Sequence, residues 1–207
     1  MNKENIIKAI EELRKNEKRK FDQSIDLLIN LKNFDIKRES INLFLTLPHK
    51  VKEKKIAAFL NKRSNAIDTI AKAEFDSYKD KKKIKRLVKE YDFFISHASL
   101  MPAVAASFGR YLGTAGKMPS PQLGILKTEE EKEIKETIER FERIVKIKSK
   151  EPSLKFCIGK ESMKDSDIAE NVIYACNAIE NALSKKKENI RSIMLRFTMT
   201  KPVKLAF

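Results

Sequence analysis

The period of the hydrophobic pattern changes along the chain, and this change constrains the fold more than any other feature. Near the N-terminus, "SIDLLINLK" (24–32) and "INLFLTLP" (41–48) alternate apolar with polar residues, which predicts strands buried on one face. In the middle, "KKIAAFLN" (54–61) and "DFFISHA" (92–98) are nearly continuous apolar runs, typical of strands covered on both faces. The chain therefore predicts α+β ends around an α/β centre.

Further helices and strands fill the rest of the chain. The 3.6-residue period and the capping residues predict helices at about 3–19, 64–73, 79–90 and 128–140, with two more beginning at Pro102 and at Asp165. Strands are predicted in "SLKFCIG" (153–159) and, once or twice, in "RSIMLRFTMTKPVKLAF" (191–207).

This order of elements predicts two domains. The two ends, about 1–50 and 153–207, fold together as one discontinuous α+β domain in the most economical arrangement. The middle, 51–152, is then a three-layer α/β domain inserted through two crossings, near Lys50 and Pro152.

The charge balance indicates the class of partner. The chain has 44 Lys and Arg against 29 Asp and Glu, a formal net charge of +15 at pH 7. Such an excess attracts polyanions, because neutralised phosphates release their condensed counterions. The alternative is that the lysines only keep the surface soluble. With no RNP signature, zinc finger or basic heptad region, the charge predicts a nucleic-acid or ribosome-associated protein without specifying the target.

Several classes of protein are set aside. Cys157 and Cys176 form no C-x-x-C pair and no metal-ligand spacing, so neither a disulfide nor a zinc site is expected. No run approaches the roughly 20 apolar residues of a membrane helix, and the N-terminus has charges where a signal peptide has its apolar core. We expect a cytoplasmic protein with no cofactor.

A glycine-rich stretch, "FGRYLGTAGKMPSPQLG" (108–124), holds four of the five glycines of the chain. It is not a Walker loop, because Tyr111 stands at the first glycine position and Met118 replaces the hydroxyl residue after Lys117. Its glycines, four and three residues apart, also miss the G-x-G-x-x-G fingerprint. Glycine permits close approach of the backbone, so these residues alone predict contact with an anion.

An enzyme is the competing hypothesis. Ser96, His97 and Ser99 suggest hydrolase chemistry, but there is no G-x-S-x-G elbow and no acid placed to orient the imidazole. An α/β enzyme that binds a nucleotide or sugar phosphate at the strand ends stays open, although "LNKRSNAID" (60–68) offers no phosphate loop. A scaffold without RNA contacts is the third possibility. The prediction is that the protein is not an enzyme.

Five segments resemble one family in its own order. They are "RKFDQSIDLLINLK" (19–32), "LPH" (47–49), "DFFISHASLMP" (92–102), "FGRYLGTAGKMPSP" (108–121) and "TMTKPVKL" (198–205). They are similar to segments of the ribosomal protein L-one family, whose members carry the mobile stalk of the large subunit beside the tRNA exit site. The similarity runs nearly end to end and is greatest to the archaeal branch.

The resemblance implies a discontinuous rRNA-binding first domain and an inserted Rossmann-like second domain. It implies a structural constituent of the large subunit that binds stalk rRNA and assists release of deacylated tRNA. It allows translational repression through the protein's own mRNA, and a monomer with no membrane contact is expected off the ribosome.

The resemblance also implies the residues that meet RNA. In the first domain these are Lys20, Phe21, Asp22, Gln23, Ser24, Gly159, Lys160, Thr198, Met199, Thr200 and Lys201. In the second domain they form a loop with Arg110, Gly113, Gly116 and Lys117. Lysines would bind phosphates, hydroxyls and backbone groups would contact ribose, and an apolar Phe or Met would exclude water from these hydrogen bonds.

Two departures from the family pattern change the balance between these surfaces. The family's loop usually reads Gly-Pro-Arg-Gly, whereas Thr114 and Ala115 stand here between the glycines, so a planar phosphate-binding fork is missing. The terminal motif usually reads Thr-Met-Gly-Pro, whereas Thr200 and Lys201 follow Met199 here. The first domain is therefore predicted to supply most of the RNA affinity.

Overall fold

The computed structural model describes residues 2–17, 19–35, 41–64, 67–120, 124–126, 128–149 and 151–205. In chain order the α-helices and β-strands are α1 (Lys3–Arg14), β1 (Ser24–Leu31), β2 (Asn42–Thr46), β3 (Ile56–Leu60), β4 (Asp68–Ala71), α2 (Lys81–Glu90), β5 (Phe93–His97), α3 (Met101–Ala115), β6 (Ile125–Leu126), α4 (Glu131–Arg143), β7 (Ile144–Lys148), β8 (Ser153–Lys160), α5 (Asp165–Ala182), β9 (Ile190–Phe197) and β10 (Val203–Leu205). The chain divides into two compact units. Unit 1 is Met1–Lys52 with Arg143–Phe207, and unit 2 is Glu53–Glu142.

An antiparallel sheet of four strands, ordered β10-β9-β1-β8, forms the centre of unit 1. Alternate residues of β1, namely Ile25, Leu27 and Ile29, are fully buried, as the alternating pattern predicts. They share one core with apolar residues of α1 and α5, such as Ile10 and Val172. The helices thus explain why the face of β1 that carries Ile25, Leu27 and Ile29 is apolar.

A second, two-stranded sheet in unit 1 pairs β2 with β7, with Thr46 opposite Ile144. Strand β7 is not among the predicted strands, although its "IVKIK" is rich in β-branched residues. Because of this pairing, residues 143–152 belong to unit 1, and the second crossing lies at 142/143 rather than near Pro152. The first crossing lies at 52/53, close to the expected Lys50.

Unit 2 contains a parallel sheet of four strands, ordered β4-β3-β5-β6. All five residues of β3 are buried, as its continuous apolar run predicts. The ring of Phe94 stacks on that of Phe59 in the core shared with α2 and α3, whereas the ring of Phe93 lies 5.0 Å from that of Phe141 in α4. Helices therefore pack on both faces of β5, and the predicted fold class, α+β with an inserted Rossmann-like α/β domain, is confirmed.

One predicted helix is wrong. Residues 68–71 form the edge strand β4, followed by a 3₁₀ turn over Lys72–Lys79, where the sequence predicts a helix at 64–73. Ile67, Ile70 and Ala71 have helical spacing, but pairing with β3 buries Ile70 and gives the β-branched residues an extended backbone. Tertiary pairing thus overrides the local period. None of the described helices is long and apolar enough to cross a membrane.

Candidate nucleic-acid interface

The antiparallel sheet of unit 1 brings three distant parts of the chain to one edge. Strand β1 begins where its neighbours β8 and β9 end, with Ser24 opposite Lys160 and Ile25 opposite Phe197. All the residues predicted for the first domain lie at this end of the sheet, on β1, on β8, or in the segments next to β1 and β9. We call them the sheet-end patch: Lys20, Phe21, Asp22, Gln23, Ser24, Gly159, Lys160, Thr198, Met199, Thr200 and Lys201.

Backbone hydrogen bonds hold the turn after β9 against the start of β1. The N–H of Thr198 donates to the carbonyl of Ser24 at 3.1 Å, and the N–H of Ser24 donates to Thr198 Oγ1 at 3.2 Å. Thr200 closes the turn, because its Oγ1 accepts from the N–H of Phe197 at 3.0 Å. Thr200, which stands where the resemblance implies a glycine, therefore has a hydroxyl that stabilises the turn from within.

Gln23 is a buried centre of this arrangement, with 2% of its surface exposed. Its Oε1 accepts from the N–H of Met199 at 3.3 Å, and its Nε2 donates to Glu161 Oε2 at 3.2 Å. Its carbonyl accepts from the N–H of Glu161 at 2.8 Å. Gln23, which is predicted to meet RNA, thus links β1 to both flanking turns and positions its neighbours.

Asp22 is engaged with the turn after β8. Its carboxylate accepts from the N–H of Ser162 at 3.0 Å and from Ser162 Oγ at 2.9 Å. The Lys160 ammonium lies 3.6 Å from the same carboxylate, with about two fifths of the Lys160 side chain exposed. Asp22 therefore orients Lys160 and the turn, and it offsets part of the positive charge of the patch.

Gly159 has a packing reason to be glycine. It is buried, and a Cβ built on it would lie 3.0 Å from Met163 Sδ and 3.6 Å from Ile168 Cγ1. The Sδ atom also accepts from the N–H of Lys160 at 3.4 Å. Contact with RNA is therefore not required to explain this glycine.

The outward-facing part of the patch combines apolar side chains with cations. Phe21 is 52% exposed and Met199 is 61% exposed, which is unusual for large apolar residues. Among the described residues, the other exposed large hydrophobic side chain is Tyr174 on α5, outside the patch. Lys20 and Lys201 are exposed as well. The patch can thus offer water-excluding groups and phosphate-binding charges from a rigid sheet end.

The residues predicted to form an RNA-facing loop in the second domain do not all lie in a loop. Arg110 and Gly113 are helical residues of α3, which extends to Ala115. Of the two glycines predicted to meet RNA, Gly113 and Gly116, only Gly116 has a backbone that favours glycine, with φ 64° and ψ 30°, and it ends the helix. A Cβ on Gly113 would meet no atom within 4 Å, so packing within the protein does not explain that glycine. Residues 121–123 of the stretch lie outside the described residues.

Lys117 is engaged within unit 2. Its Nζ donates to the carbonyls of Val88 and Tyr91, both at 2.7 Å, at the C-terminal end of α2. A cation at this end of a helix is stabilised by the unpaired carbonyls. Lys117, which is predicted as a counter-charge for phosphate, forms a C-terminal cap of α2 in the structure.

The residues that suggested hydrolase chemistry have structural partners. Ser96 is fully buried and its Oγ donates to the carbonyl of His97 at 3.1 Å. The Nδ1 atom of His97 lies 2.7 Å from Ser99 Oγ and 4.0 Å from Glu129 Oε1. The buried Ser96 hydroxyl cannot reach a substrate. Ser99 is exposed, but its Oγ and Glu129 face the same ring nitrogen of His97, whereas a catalytic triad has the serine and the acid on opposite nitrogens. This cluster therefore orders the turn after β5.

The cysteines and other potential ligands give no sign of a metal centre. Both cysteines are free thiols, and burial raises the pKa of Cys176 to about 12. Burial also raises the pKa of Cys157, whose Sγ donates to the carbonyl of Gly159 at 3.3 Å. Across the part of the chain that the structure describes, no group of three His, Cys, Asp or Glu residues could hold a metal ion.

Comparison with known proteins identifies relatives over the whole chain. The sequence model of the "Ribosomal protein L1p/L10e family" matches residues 13–201. A protein of Pyrococcus horikoshii named "Large ribosomal subunit protein uL1" is 33% identical over 215 residues, covering 98% of this chain and 96% of the relative. Proteins of the same name from Methanothermococcus thermolithotrophicus and Methanosarcina barkeri are each 32% identical. They cover 99% and 97% of this chain, and 99% and 98% of their own lengths, respectively.

Proposed function

The chain belongs to the ribosomal protein L1p/L10e family, and we propose that it is a structural constituent of the large ribosomal subunit that binds large-subunit rRNA through the sheet-end patch. The resemblance seen in the sequence is thereby confirmed, including the similarity to archaeal members. As a ribosomal protein it acts in the cytoplasm and is not an enzyme. The α/β enzyme alternative has no support, because the relatives are ribosomal proteins over almost their whole length.

One observation carries the assignment of the binding surface. Phe21 and Met199 are the exposed apolar side chains at the end of the sheet, and buried Gln23 fixes the backbone of Met199. Exposing large apolar groups on a rigid frame costs solvation free energy unless a partner covers them. Lys20 and Lys201 add the charge that an RNA backbone neutralises. A patch with these properties fits an RNA surface that offers both ribose and phosphate.

The finer part of the proposal concerns where and how the protein acts. We place it on the mobile stalk beside the tRNA exit site, where it contacts exit-site tRNA and assists release of deacylated tRNA. A patch that recognises a folded rRNA motif also binds an mRNA that presents the same motif, which gives a route to translational repression. We also propose that the protein is a monomer when it is not bound to the ribosome.

Binding of the full chain to a stalk rRNA fragment tests the proposal. The dissociation constant is measured by fluorescence anisotropy from 50 to 400 mM KCl, with a shuffled RNA of the same length as control. Because the patch uses only part of the +15 charge, the log–log salt slope should correspond to roughly four to eight phosphates. The stalk fragment should bind at least tenfold more tightly than the shuffled RNA. Equal affinities or a flat salt dependence would contradict the assignment.

A further inference from the structure

Helix α2 carries an unusual concentration of positive charge on its outer face. Six of its ten residues are cations, and all six are exposed: Lys81, Lys82, Lys83, Lys85, Arg86 and Lys89. Its apolar residues, Ile84, Leu87 and Val88, face the core of unit 2. At 100° per residue, the cations occupy the opposite side of the helix, with Lys82, Lys89 and Arg86 near the centre of that face. Apart from Glu90, its last residue, the solvent-facing surface of α2 is thus basic.

Acidic residues do not neutralise this face. Among the described residues, none of the six cations forms an ion pair. The only acid in the helix is Glu90, its last residue. Helix α4, in the same unit, instead mixes both signs along its surface, in the sequence "EKEIKETIERFER". The composition of unit 2 therefore does not by itself explain the uniform charge of α2.

The charge also opposes the stability of the helix. Three lysines occupy the first turn, where the helix dipole disfavours cations, whereas α1, α4 and α5 have acidic residues there. Like charges stand four residues apart, as in Lys81 and Lys85, and they repel one another. The Asp80 cap, whose Oδ1 accepts from the N–H of Lys82 at 3.0 Å, and the Lys117 cap hold the ends. A face that weakens its own helix is expected where a partner supplies the opposite charge.

We propose that the outer face of α2 binds the phosphodiester backbone of an RNA duplex. Lysine is a flexible point charge that suits phosphates along a backbone, without base recognition. A helix of ten residues is about 15 Å long, long enough to follow several successive phosphates. This surface lies entirely in unit 2 and contains no residue of the sheet-end patch or of the α3 terminus. It does not depend on the rRNA site proposed for unit 1.

The composition of the face favours RNA over other anionic partners. Protein interfaces are enriched in aromatic residues and depleted in lysine at their centre, and the outer face of α2 has the reverse composition. A helix that lies on a membrane needs apolar groups to enter the lipid boundary, and no apolar residue of α2 is exposed. Backbone binding to nucleic acid requires only dispersed charge.

A charge-matched pair of variants tests this proposal in the full chain. The α2 variant carries Lys82→Gln, Lys85→Gln, Arg86→Gln and Lys89→Gln, and the control carries Lys62→Gln, Lys132→Gln, Lys135→Gln and Arg140→Gln. Both remove four exposed cations from unit 2. The probe is a labelled 24-base-pair RNA duplex of arbitrary sequence, titrated between 50 and 200 mM KCl. The salt slope should fall by about one per contacting cation, so by about three to four in the α2 variant and by less than one in the control.

Further measurements separate the proposal from its alternatives. At 100 mM KCl we expect the α2 variant to lose at least tenfold in affinity for the duplex and the control less than threefold. The thermal midpoint of the α2 variant should stay equal to that of the native chain or rise, because glutamine relieves the repulsion between the cations of α2. Equal losses in both variants would mean that only net charge matters and would overturn the proposal, as would an unchanged α2 variant. Displacement of the duplex by poly-L-glutamate at equal charge concentration would instead indicate an acidic protein partner. Phe21→Ala, which tests the rRNA site of unit 1, should leave this slope unchanged.

Discussion

The backbone N–H of Met199 donates a hydrogen bond to Oε1 of Gln23, 3.3 Å away. A residue with one of the most exposed apolar side chains described in unit 1 is thus held through its backbone by a buried polar side chain. The contact joins residues that are 176 positions apart in the sequence. A rigid attachment of this kind reduces the ordering cost of binding, because the exposed group is already in place.

Gln23→Leu removes these hydrogen bonds and keeps the volume. We expect the free energy of unfolding to fall by about 1–2 kcal/mol, measured by urea denaturation, because the N–H of Met199 and the Glu161 carboxylate each lose a hydrogen-bond partner. Affinity for the stalk rRNA fragment should fall as well, although Gln23 itself is buried, because the turn that carries Met199 is released. A variant with unchanged stability and unchanged affinity would contradict the positioning role.

Gln23→Glu is a matched test of the same site. It retains an acceptor for the N–H of Met199 but places a carboxylate beside Glu161 Oε2, which the native amide meets at 3.2 Å. Two carboxylates repel until one is protonated. The variant should therefore be less stable than the native chain at pH 7 and should approach it as the pH is lowered toward 4.

Phe21→Ala should weaken rRNA binding with little effect on folding. Truncating an aromatic anchor of an interface costs on the order of 2 kcal/mol, or about thirtyfold in the dissociation constant. Because Phe21 is 52% exposed, its removal should change the unfolding free energy by less than about 0.5 kcal/mol. Tyr174→Ala is the matched control, since Tyr174 is 46% exposed in the same unit but lies on α5. If both variants lost affinity equally, the sheet-end patch would not be the site.

Much of the fold could be predicted from local pattern. Strand β1 shows alternation because it is buried mainly on one face, and β3 shows a continuous apolar run because it is buried on both faces. Strand β4 could not be predicted in this way, since Ile67 and Ile70 fit a helix as well as an edge strand. The extent of unit 1 depended on the pairing of β7 with β2 across about a hundred residues. The β-branched residues of β7 are consistent with a strand, but they do not indicate which strand it pairs with.

The segments that form the candidate site could be proposed from the sequence. Which of their residues are buried and which are exposed could not. Resemblance to the family indicated the segments, and antiparallel pairing brings them together. Residue type did not reveal that Gln23 is buried while Phe21 is exposed, because default expectations for a polar and an aromatic side chain are the reverse. The use of Lys117 as a helix cap depends on a contact across 26–29 residues, which the glycine-rich motif around it does not indicate.

Lys117→Met separates a structural role from a phosphate contact. Methionine keeps an unbranched chain but leaves the carbonyls of Val88 and Tyr91 without this donor. We expect the amides of α2 to exchange faster by hydrogen–deuterium exchange, consistent with a loss of about 1–3 kcal/mol in local stability. The amides of α5 in unit 1 are the internal control. Affinity for the stalk fragment should stay within threefold, and a large loss with normal α2 protection would show that the ammonium meets RNA instead.

Two glycine substitutions at the end of α3 should have opposite effects on stability. Gly113 lies inside the helix with open space around it, so Gly113→Ala should stabilise unit 2 by about 0.5–1 kcal/mol. Gly116 has a left-handed backbone, so Gly116→Ala should destabilise it by about 1–2 kcal/mol. Thermal unfolding followed by tyrosine fluorescence reports on unit 2, where three of the four tyrosines lie. On rRNA, Gly113→Ala should cost clearly less than Phe21→Ala, because Thr114 and Ala115 between the two glycines offer no cation to a phosphate. If Gly113→Ala stabilised the fold yet weakened binding more than Phe21→Ala, the end of α3 would be the principal RNA contact.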